Sequence, residues 1–156
     1  MNLRPFDAAV GDAVRLSQFR CSTGAPFEDE VEAWIRTDAV AWVNDLPRAQ
    51  FQRRTLGLLI DHEEMAAVVA WQDITRVDLE GIWLEVLAVA LDHQHGGHGQ
   101  EAYELTVDSL RAVERDGDHL AGLVHVDNAR SKRLLTAFGW SSVAPWDDHE
   151  LWVGSL

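Results

Sequence analysis

The fold is decided by the stretch Leu84-Glu-Val-Leu-Ala-Val-Ala-Leu-Asp-His-Gln-His-Gly-Gly-His-Gly-Gln-Glu-Ala-Tyr103. An apolar, β-prone run passes into a glycine-rich loop, and the loop opens directly into a helix-forming segment. Such an arrangement makes an anion site, because backbone N–H groups point outward and the helix dipole favours negative charge. Glycines at 96, 97 and 99 let the main chain approach a phosphate closely. The stretch predicts a phosphate-bearing ligand.

The spacing of the glycines narrows the choice of ligand. Neither the dinucleotide pattern G-x-G-x-x-G nor the nucleoside triphosphate pattern G-x-x-x-x-G-K-S/T is present. The loop instead reads Gln94-x-x-Gly97-x-Gly99, shortly after Val89. This resembles the acyl-CoA pyrophosphate loop of the GNAT superfamily of N-acyltransferases, whose pattern is Q/R-x-x-G-x-G/A.

A second segment strengthens the resemblance. Asn128-Ala-Arg-Ser-Lys-Arg-Leu-Leu-Thr-Ala-Phe-Gly-Trp140 is similar to the GNAT helix N-x-x-A/S-x-x-L-Y-x-x-F/L-G-F/W that follows the fifth strand. Both motifs stand in the expected order, and the resemblance covers roughly residues 81 to 156. The first eighty residues match only in length and general layout.

Periodicity along the chain predicts an alternating order of elements. Strands are expected over residues 2–6, 55–61, 65–73, 82–91, 119–126, 140–144 and 150–153. Helices are expected over residues 7–19, 98–114 and 129–138, and over a segment that begins at residue 26 and ends between residues 44 and 47. The order is β-α-α-β-β-β-α-β-α-β-β, which predicts an α/β (α+β) layered fold around a central mixed sheet. The GNAT resemblance implies the same order, with helices on both faces and splayed strands four and five.

Length and composition indicate the general class of protein to which this chain belongs. With 156 residues, 47% of them hydrophobic, we expect residues 1–156 to form a single domain. No apolar run is long enough for a membrane span, and no signal-peptide pattern opens the sequence. Cys21 is the single cysteine, which fits a reducing compartment. These features predict a soluble cytoplasmic protein with no membrane partner.

The formal charge of −13 argues against a nucleic acid partner and suits an amine substrate that arrives protonated. Against this background Arg130, Lys132 and Arg133 form a basic cluster. If their helix lies beside the glycine loop, the cluster meets the 3′-phosphate or pyrophosphate of CoA. The alternative is an ordinary solvated helix face.

The predicted strand at 82–91 carries one ionisable group, Glu85. Alternation places Trp83, Glu85, Leu87 and Val89 on one face, and Ile82, Leu84, Val86 and Ala88 on the other. A carboxylate in such apolar surroundings has a raised pKa and suits a general base. The alternative is a structural ion pair with Arg54 or Arg76. In some GNAT relatives the base glutamate sits two residues earlier, at the place of Trp83.

The resemblance implies direct transfer from acetyl-CoA, the co-substrate, to an amine. The N–H groups of Leu87 and Val89 would hold the acyl carbonyl and the pantetheine arm, loop amides the pyrophosphate, and Asn128 the pantetheine or the departing sulfur. The full set implied to bind acetyl-CoA is Leu87, Ala88, Val89, Gln94, His95, Gly96, Gly97, His98, Gly99, Gln100, Asn128 and Ser131.

One position departs from the GNAT pattern. Many relatives have a tyrosine seven residues after the asparagine, which protonates the leaving thiolate, and here Leu135 stands there. The only tyrosine, Tyr103, is predicted to lie in the core. Water, Ser131 or His125 would have to serve as the acid, or the thiolate would leave unassisted.

Two further features invite a chemical interpretation. His93, His95 and His98 lie close in sequence, but their spacing fits no zinc pattern, and side chains on a glycine loop are expected to diverge. We therefore expect no metal, and instead partial protonation beside a bound phosphate. Cys21 is expected to be a buried thiol rather than a nucleophile.

Two function classes follow from these features. The first is an N-acetyltransferase (N-acyltransferase) that takes acyl-CoA and a cationic amine. The second is a catalytically weak acyl-CoA-binding sensor or regulatory module, supported by the missing tyrosine. A homodimer is compatible with either class.

Overall fold

The computed structural model describes residues 1–45, 53–75, 80–113 and 117–156. Seven strands in this part of the chain form one sheet, in the order β1-β2-β3-β4-β5-β7-β6. Their bounds are β1 Asn2–Pro5, β2 Arg54–Asp61, β3 Glu64–Thr75, β4 Glu80–Val89, β5 His119–His125, β6 Ser141–Trp146 and β7 His149–Ser155. The helices are α1 Asp12–Ser17, α2 Pro26–Thr37, α3 Ala39–Asn44, α4 His98–Arg111 and α5 Ala129–Ala137.

Both predicted N-terminal helices are interrupted. Gly11, at φ +82°, separates a short 3-10 turn over Ala8–Val10 from α1, because a left-handed residue cannot continue a helix. The second predicted helix is divided at Asp38 into α2 and α3. The last hairpin also turns later than predicted. β6 continues through Pro145 to Trp146, and the turn is made at Asp147, whose φ is +55°.

Hydrophobic clusters cover both faces of the sheet, as predicted. On one face α4 and α5 contribute Tyr103, Leu110 and Leu135 to a cluster with the sheet. On the other face α1, α2 and α3 contribute Leu16, Ile35 and Ala39. The mixed α/β architecture with helices on both faces is therefore confirmed.

Strands β4 and β5 are parallel and separate after a short contact. Their pairing runs only from Gly81 opposite His119 to Leu84 opposite Gly122. Beyond this point β4 stays paired with β3 as far as Val89, and β5 stays paired with β7 to its end. The two strands thus diverge into a gap, which confirms the predicted splay of strands four and five.

A β-bulge marks the place where the gap begins. On β3, Ala70 pairs with Val86 and Trp71 with Leu84, so Glu85 is the extra residue on β4. A bulge reverses the in–out alternation of the residues after it. The predicted faces of this strand are therefore wrong. The hydrophobic cluster on the α4 side of the sheet includes or contacts Ile82, Leu84, Leu87 and Val89. The cluster on the opposite side includes or contacts Val86 and Ala88.

A buried ion pair fixes α1 to the edge of the sheet. Asp12 is fully buried and accepts from both terminal nitrogens of the Arg4 guanidinium, at 2.6 and 2.9 Å. It also accepts from the Asp7 N–H at 2.8 Å. These contacts hold the pKa of Asp12 below its ordinary value, with the Arg4 hydrogen bond as the largest cause.

Among the helices that the structure describes, none is long and apolar enough to cross a membrane.

Candidate functional site

Two connected cavities open where β4 and β5 diverge. The larger cavity, of about 570 Å³, lies between the end of β4, the glycine loop and the N-terminus of α5. The smaller cavity, of about 340 Å³, lies over Glu85 and the end of β5. They share the lining residues Phe27, Val31, Leu87, Asn128 and Ser131. One cleft therefore runs from the glycine loop, past the splay, to Glu85.

The glycine loop delivers an uncapped helix N-terminus to the larger cavity. Gly97 is the N-cap of α4 with φ +82°, and no side chain in the described part of the chain caps the helix. The N–H groups of the first turn are consequently left for an anion. A Cβ at Gly99 would meet the Val89 side chain at 3.5 Å, which is an ordinary van der Waals contact.

Gln94 fixes the loop against its surroundings. Its Nε2 donates to the Cys21 carbonyl at 2.7 Å and to the Val89 carbonyl at 3.2 Å. Its Oε1 accepts from Arg130 at 3.0 Å. The hydrogen-bonding groups of the Gln94 side chain are thus bound to other parts of the protein. Its role in the motif is to hold the loop in this conformation.

The end of β4 presents main-chain donors to the gap. The Ala90 N–H donates to the Ala66 carbonyl on β3 at 2.8 Å. Successive strand residues direct their N–H groups to opposite sides, so those of Leu87 and Val89 point away from β3. The main-chain groups of Ala88 face β3, and this residue contributes only its carbon atoms to the cavity wall.

Helix α5 carries a basic side chain across the mouth of the larger cavity. Arg130 donates to Gln94 and lies 3.2 Å from the His95 Nε2. Neither partner is an anion, so the Arg130 charge is not neutralised by them. Arg133 lines the same cavity one helical turn later. Lys132 lies on another face of the helix, where its Nζ pairs with the Glu150 carboxylate at 2.8 Å. The predicted basic cluster therefore keeps Arg130 and Arg133 but not Lys132.

The N-terminus of α5 is built by Asn128. Its Oδ1 accepts from the Ser131 N–H at 3.1 Å and caps the helix. The side-chain oxygen is therefore engaged in structure, while the amide NH₂ remains as a donor at the junction of the two cavities. Ser131 lines both cavities beside it.

Two loop histidines pack together below the glycines. The rings of His93 and His98 are 5.2 Å apart and nearly perpendicular, which contradicts the expected divergence. His93 lies 3.4 Å from the Glu64 carboxylate, and His98 lies 3.3 Å from that of Asp61. Only His95 stands apart, beside Arg130. The imidazoles at 93 and 98 thus fasten the loop to the β2–β3 turn.

Glu85 lies in the smaller cavity at the bulge. Its side chain is exposed to the cleft, and partial burial still raises the pKa of its carboxyl group, with opposing effects from the Trp83 indole and Arg54. Arg54 itself is 3.6 Å from Asp45 and donates to the Trp42 carbonyl. No ion pair to Glu85 occurs among the described residues, while Arg76 lies outside them. The predicted structural pairing with Arg54 is therefore not formed.

His125 stands at the end of β5, facing the same cavity. Its Nδ1 accepts from the Asp127 N–H at 3.1 Å, so the neutral ring carries its proton on Nε2. Nε2 lies 3.7 Å from Asp148, and the ring stacks on Phe27 at 4.8 Å. In that tautomer the Nε2–H is the donor of the ring, on the side of Asp148.

The position of the expected tyrosine is closed to the cleft. Leu135 is buried in the α4–α5 core. Tyr103, buried as predicted, accepts from the Trp140 indole N–H at 2.7 Å and packs on Phe138. Desolvation raises the pKa of Tyr103. This tyrosine is a core residue.

Ten of the predicted cofactor-binding residues line the larger cavity: Leu87, Ala88, Val89, Gln94, His95, Gly97, His98, Gly99, Asn128 and Ser131. Gly96 and Gln100 do not line it. Gly96 lies over the His98 ring, and Gln100 is exposed and donates to Glu104 at 3.0 Å.

One further wall of the larger cavity was not predicted from the sequence. It is formed by Cys21, Thr23, Phe27, Glu28 and Val31. The spacing of the apolar residues Phe27 and Val31 predicted a helix. It could not predict whether the apolar face of that helix packs in the core or lines a cleft. Burial raises the pKa of the Cys21 thiol to about 12, which fits the predicted buried thiol.

No group of three or more histidine, cysteine, aspartate or glutamate side chains with metal-binding geometry occurs within the described ranges. The predicted absence of a metal remains a prediction.

Comparison with known proteins identifies the fold. No protein-family model matches the sequence, and no curated protein matches it. Solved structures do match. The GNAT domain of S. lividans PAT is 19% identical, with a TM-score of 0.73 over 99% of this chain and 89% of that chain. An acetyltransferase from Thermus thermophilus is 21% identical, with a TM-score of 0.70 over 99% of this chain and 96% of that chain.

A third match was solved with a ligand. PaiA N-acetyltransferase from Thermoplasma acidophilum, in complex with coenzyme A, is 13% identical, with a TM-score of 0.66 over 99% of this chain and 98% of that chain. The chain therefore has the fold of the GNAT acetyltransferases, and the predicted resemblance is confirmed in the fold.

Proposed function

We propose that this GNAT-fold chain is an N-acetyltransferase that transfers the acetyl group of acetyl-CoA to a primary amine by direct attack. The observation that carries the proposal is the single cleft through the β4–β5 gap. An anion-binding loop lies at one end and Glu85, with a raised pKa, at the other. Main-chain N–H groups of β4 that point away from β3 lie between them.

Among the described residues, the arginines that line this cleft all lie at the loop end, although that end also has two carboxylates, Glu28 and Asp127. Arg130, Arg133 and the α4 N-terminus stand at the loop end, where the phosphates of CoA would lie. The smaller cavity has carboxylates, Glu30 and Glu85, and no Lys or Arg among its lining residues in the described chain. Such complementarity favours an anionic ligand at one end and a cationic one at the other.

The residues at the loop end fit CoA. The N–H groups of Gly97, His98 and Gly99 are free of a side-chain cap and would hold the diphosphate. Arg130 would exchange its neutral partners, Gln94 and His95, for a phosphate, which is the stronger contact for a guanidinium. The predicted roles of Gly96 and Gln100 are not part of this proposal, because neither lines the cavity.

The proposed reaction uses positioning and one base. Glu85 accepts a proton from the acceptor ammonium, directly or through one water, and the resulting amine attacks the thioester carbon. A C–N bond forms and the C–S bond breaks, with the electron pair leaving on sulfur. The nitrogen of the adduct gives its remaining extra proton to the leaving thiolate, directly or through water, so the products are the amide and the CoA thiol. The N–H groups of Leu87 and Val89 point into the gap and would stabilise the oxyanion. Asn128, at the junction, would donate its amide NH₂ near the leaving sulfur.

A second candidate is an acyl-CoA-binding sensor with little turnover. The burial of Leu135 at the place of the usual acid favours it. In that case the loop end of the cleft would bind acyl-CoA, and the end near Glu85 would have no catalytic role.

One experiment separates the two candidates. Acetyl-CoA affinity is measured by calorimetry, and thiol release is then followed over a panel of amines for the wild type and for Glu85→Gln. Loss of about 100-fold or more in kcat with unchanged acetyl-CoA affinity supports the transferase, because general bases typically contribute such factors. Tight binding without turnover on every amine supports the sensor, and no binding at all contradicts both.

A further inference from the structure

One imidazole in the smaller cavity has no part in the proposed reaction. His149, the first residue of β7, lines this cavity together with Glu85 and Asn128. It is the cross-strand partner of His125, the last residue of β5. The carbonyl of His125 accepts from the Asn128 N–H at 2.9 Å. His149 thus lies on the strand next to the segment that leads into Asn128 and the junction of the two cavities.

A carboxylate holds the His149 ring in one tautomer. The Nδ1 of His149 lies 2.6 Å from the Asp148 Oδ1. This hydrogen bond is the largest cause that keeps the pKa of Asp148 below its ordinary value, so Asp148 is an ionised carboxylate and can only accept. Nδ1 is therefore the donor, and in the neutral ring Nε2 carries the lone pair. No hydrogen-bond partner of this Nε2 occurs in the part of the chain that the structure describes.

The turn before β7 fixes the position of the carboxylate. The Asp148 carbonyl accepts from the Val126 N–H at 2.9 Å, which joins this turn to the end of β5. The carboxylate Oδ2 lies 3.7 Å from the His125 Nε2. The rings of His125 and His149 meet edge to face, with centroids 5.2 Å apart. An imidazole that is oriented by a carboxylate and has its other nitrogen unpaired is suited to accept and return a proton.

The proposed reaction includes a proton that such a group can carry. Glu85 removes one proton from the ammonium before the attack. The adduct nitrogen still holds one proton more than the amide, and the departing sulfur lacks one. Leu135 is buried at the position of the usual tyrosine and has no proton to give. A side chain that takes the proton from nitrogen and gives it to sulfur ends in its starting state.

From this arrangement we propose that His149 is a second catalytic residue, whose Nε2 takes the proton of the adduct nitrogen and returns it to the sulfur as the C–S bond breaks. The products are the amide, the CoA thiol and a His149 ring that is again neutral. Asp148 is a positioning residue, because it keeps a proton on Nδ1 and stabilises the imidazolium between the two transfers. The inference rests on the proposed acetyltransferase function and assigns a side chain to its last proton transfer.

The test is chemical rescue with imidazole. Acetyl-CoA and the fastest amine of the panel are used with wild type, His149→Ala and Asp148→Asn, with and without added imidazole at constant pH and ionic strength. The acetylated amine is measured directly, because imidazole is itself a possible acyl acceptor. Thermal melts of each variant accompany the kinetics.

The chain offers a matched control for the loss of a histidine. Asp118-His119 repeats the dipeptide Asp148-His149 at the start of β5. The His119 Nε2 lies 3.9 Å from the Asp118 carboxylate, and the residue lines neither cavity of the cleft. His119→Ala therefore removes an imidazole with a neighbouring carboxylate without changing the cleft.

We expect His149→Ala to lose about 100-fold in kcat, the lower range for acid–base catalysis, with an unchanged KM for acetyl-CoA. Added imidazole should restore part of this kcat in a saturable way and should not affect wild type or His119→Ala. Asp148→Asn should lower kcat by less than His149→Ala, because an amide oxygen still accepts from Nδ1 but bears no charge.

An unchanged kcat in His149→Ala overturns the inference, and so does a loss that imidazole does not reverse in a variant with the wild-type melting temperature. Long-range proton–nitrogen NMR spectra of the wild type test the tautomer without any variant, and a neutral His149 protonated on Nε2 also overturns the inference. All three results leave the proposed function standing, because the wild type still acetylates an amine. Absence of turnover on every amine by the wild type overturns the proposed function and this inference with it.

Discussion

Arg130 donates to the Gln94 Oε1 at 3.0 Å, which joins α5 to the glycine loop across the mouth of the larger cavity. The two residues are far apart in sequence and belong to the two motifs on which the GNAT resemblance depends. Because Gln94 in turn donates to the carbonyls of Cys21 and Val89, the contact links three walls of the cleft. The motifs meet in one structural unit.

Replacing Arg130 by Gln should weaken acetyl-CoA binding by about 10-fold, because a charge-assisted contact to a phosphate is lost. The dependence of affinity on salt should also become smaller, since one fewer cation meets the phosphates. Calorimetry at two ionic strengths measures both effects. Arg111→Gln, an exposed change on α4, is the matched control and should bind as the wild type. Equal affinities of the Arg130 variant and the wild type would remove Arg130 from the site.

Gly97→Ala should destabilise the protein by about 1 kcal/mol, since alanine is strained in the left-handed region. A Cβ at this position has no neighbour within 4 Å, so backbone conformation is the sole cost. Gly99→Ala would make only an ordinary contact with Val89, and it should not lower stability. Chemical denaturation compares the two variants. Similar losses in both would mean that the loop conformation at Gly97 differs from the one described.

Glu85 should impose a pH dependence on activity. A general base works when deprotonated, so kcat/KM should rise with pH through the pKa of Glu85, which burial places above the ordinary carboxyl value. In Glu85→Gln this rising limb should be absent from the residual rate. If the activity of the variant rose over the same pH range as that of the wild type, the rise would have to come from a group other than Glu85.

The same shift has a consequence for stability. A folded-state pKa above the unfolded one means that Glu85 contributes stability only at low pH, and the contribution is lost as pH rises through the folded pKa. Glu85→Gln should therefore raise the thermal midpoint slightly at neutral pH and leave it unchanged below the unfolded pKa. Thermal melts at the two pH values test this, and a lower midpoint at neutral pH contradicts the prediction.

Asp12 should show the opposite sign. Its folded-state pKa is lowered, mainly by the Arg4 hydrogen bond, so its contribution is present above the unfolded pKa and lost as pH falls through the folded one. Asp12→Asn should cost about 2–3 kcal/mol at neutral pH, because Arg4 loses its buried partner. Urea unfolding of both proteins over a pH series measures the difference, which should shrink in acid. A difference independent of pH would be contrary to this assignment.

Tyr103→Phe should reduce stability by about 1–2 kcal/mol, because the buried Trp140 N–H loses its acceptor. It should leave the rate of thiol release unchanged, since Tyr103 lies in the core. Denaturation and a turnover assay on the same preparation provide both values. A large loss of turnover without loss of stability would instead give Tyr103 a role in the reaction.

Sequence patterns predicted the architecture because they arise from local periodicity. The order of strands and helices follows from residues that are close in sequence, and the resemblance added the helices on both faces. The GNAT resemblance added the splay of β4 and β5. Single-residue features such as the left-handed Gly11 and the break at Asp38 were missed, since apolar spacing continues across both.

The site was predicted less completely than the fold. Strict alternation gave the wrong faces for β4, because a bulge depends on the register with β3 and has no sequence pattern of its own. The histidines at 93 and 98 were expected to diverge, but Asp61 and Glu64 from a distant hairpin draw them together. Phe27 and Glu30 enter the cleft through tertiary packing of α2, which the sequence of that helix does not encode locally.

A crystal structure with acetyl-CoA tests most directly whether the cleft holds the cofactor as proposed. We expect the diphosphate on the N–H groups of Gly97 to Gly99, with Arg130 turned from Gln94 to a phosphate, and the thioester carbonyl in the gap beside Leu87. Acetyl-CoA bound elsewhere, or with its diphosphate away from the α4 N-terminus, would show that the proposed binding mode is wrong.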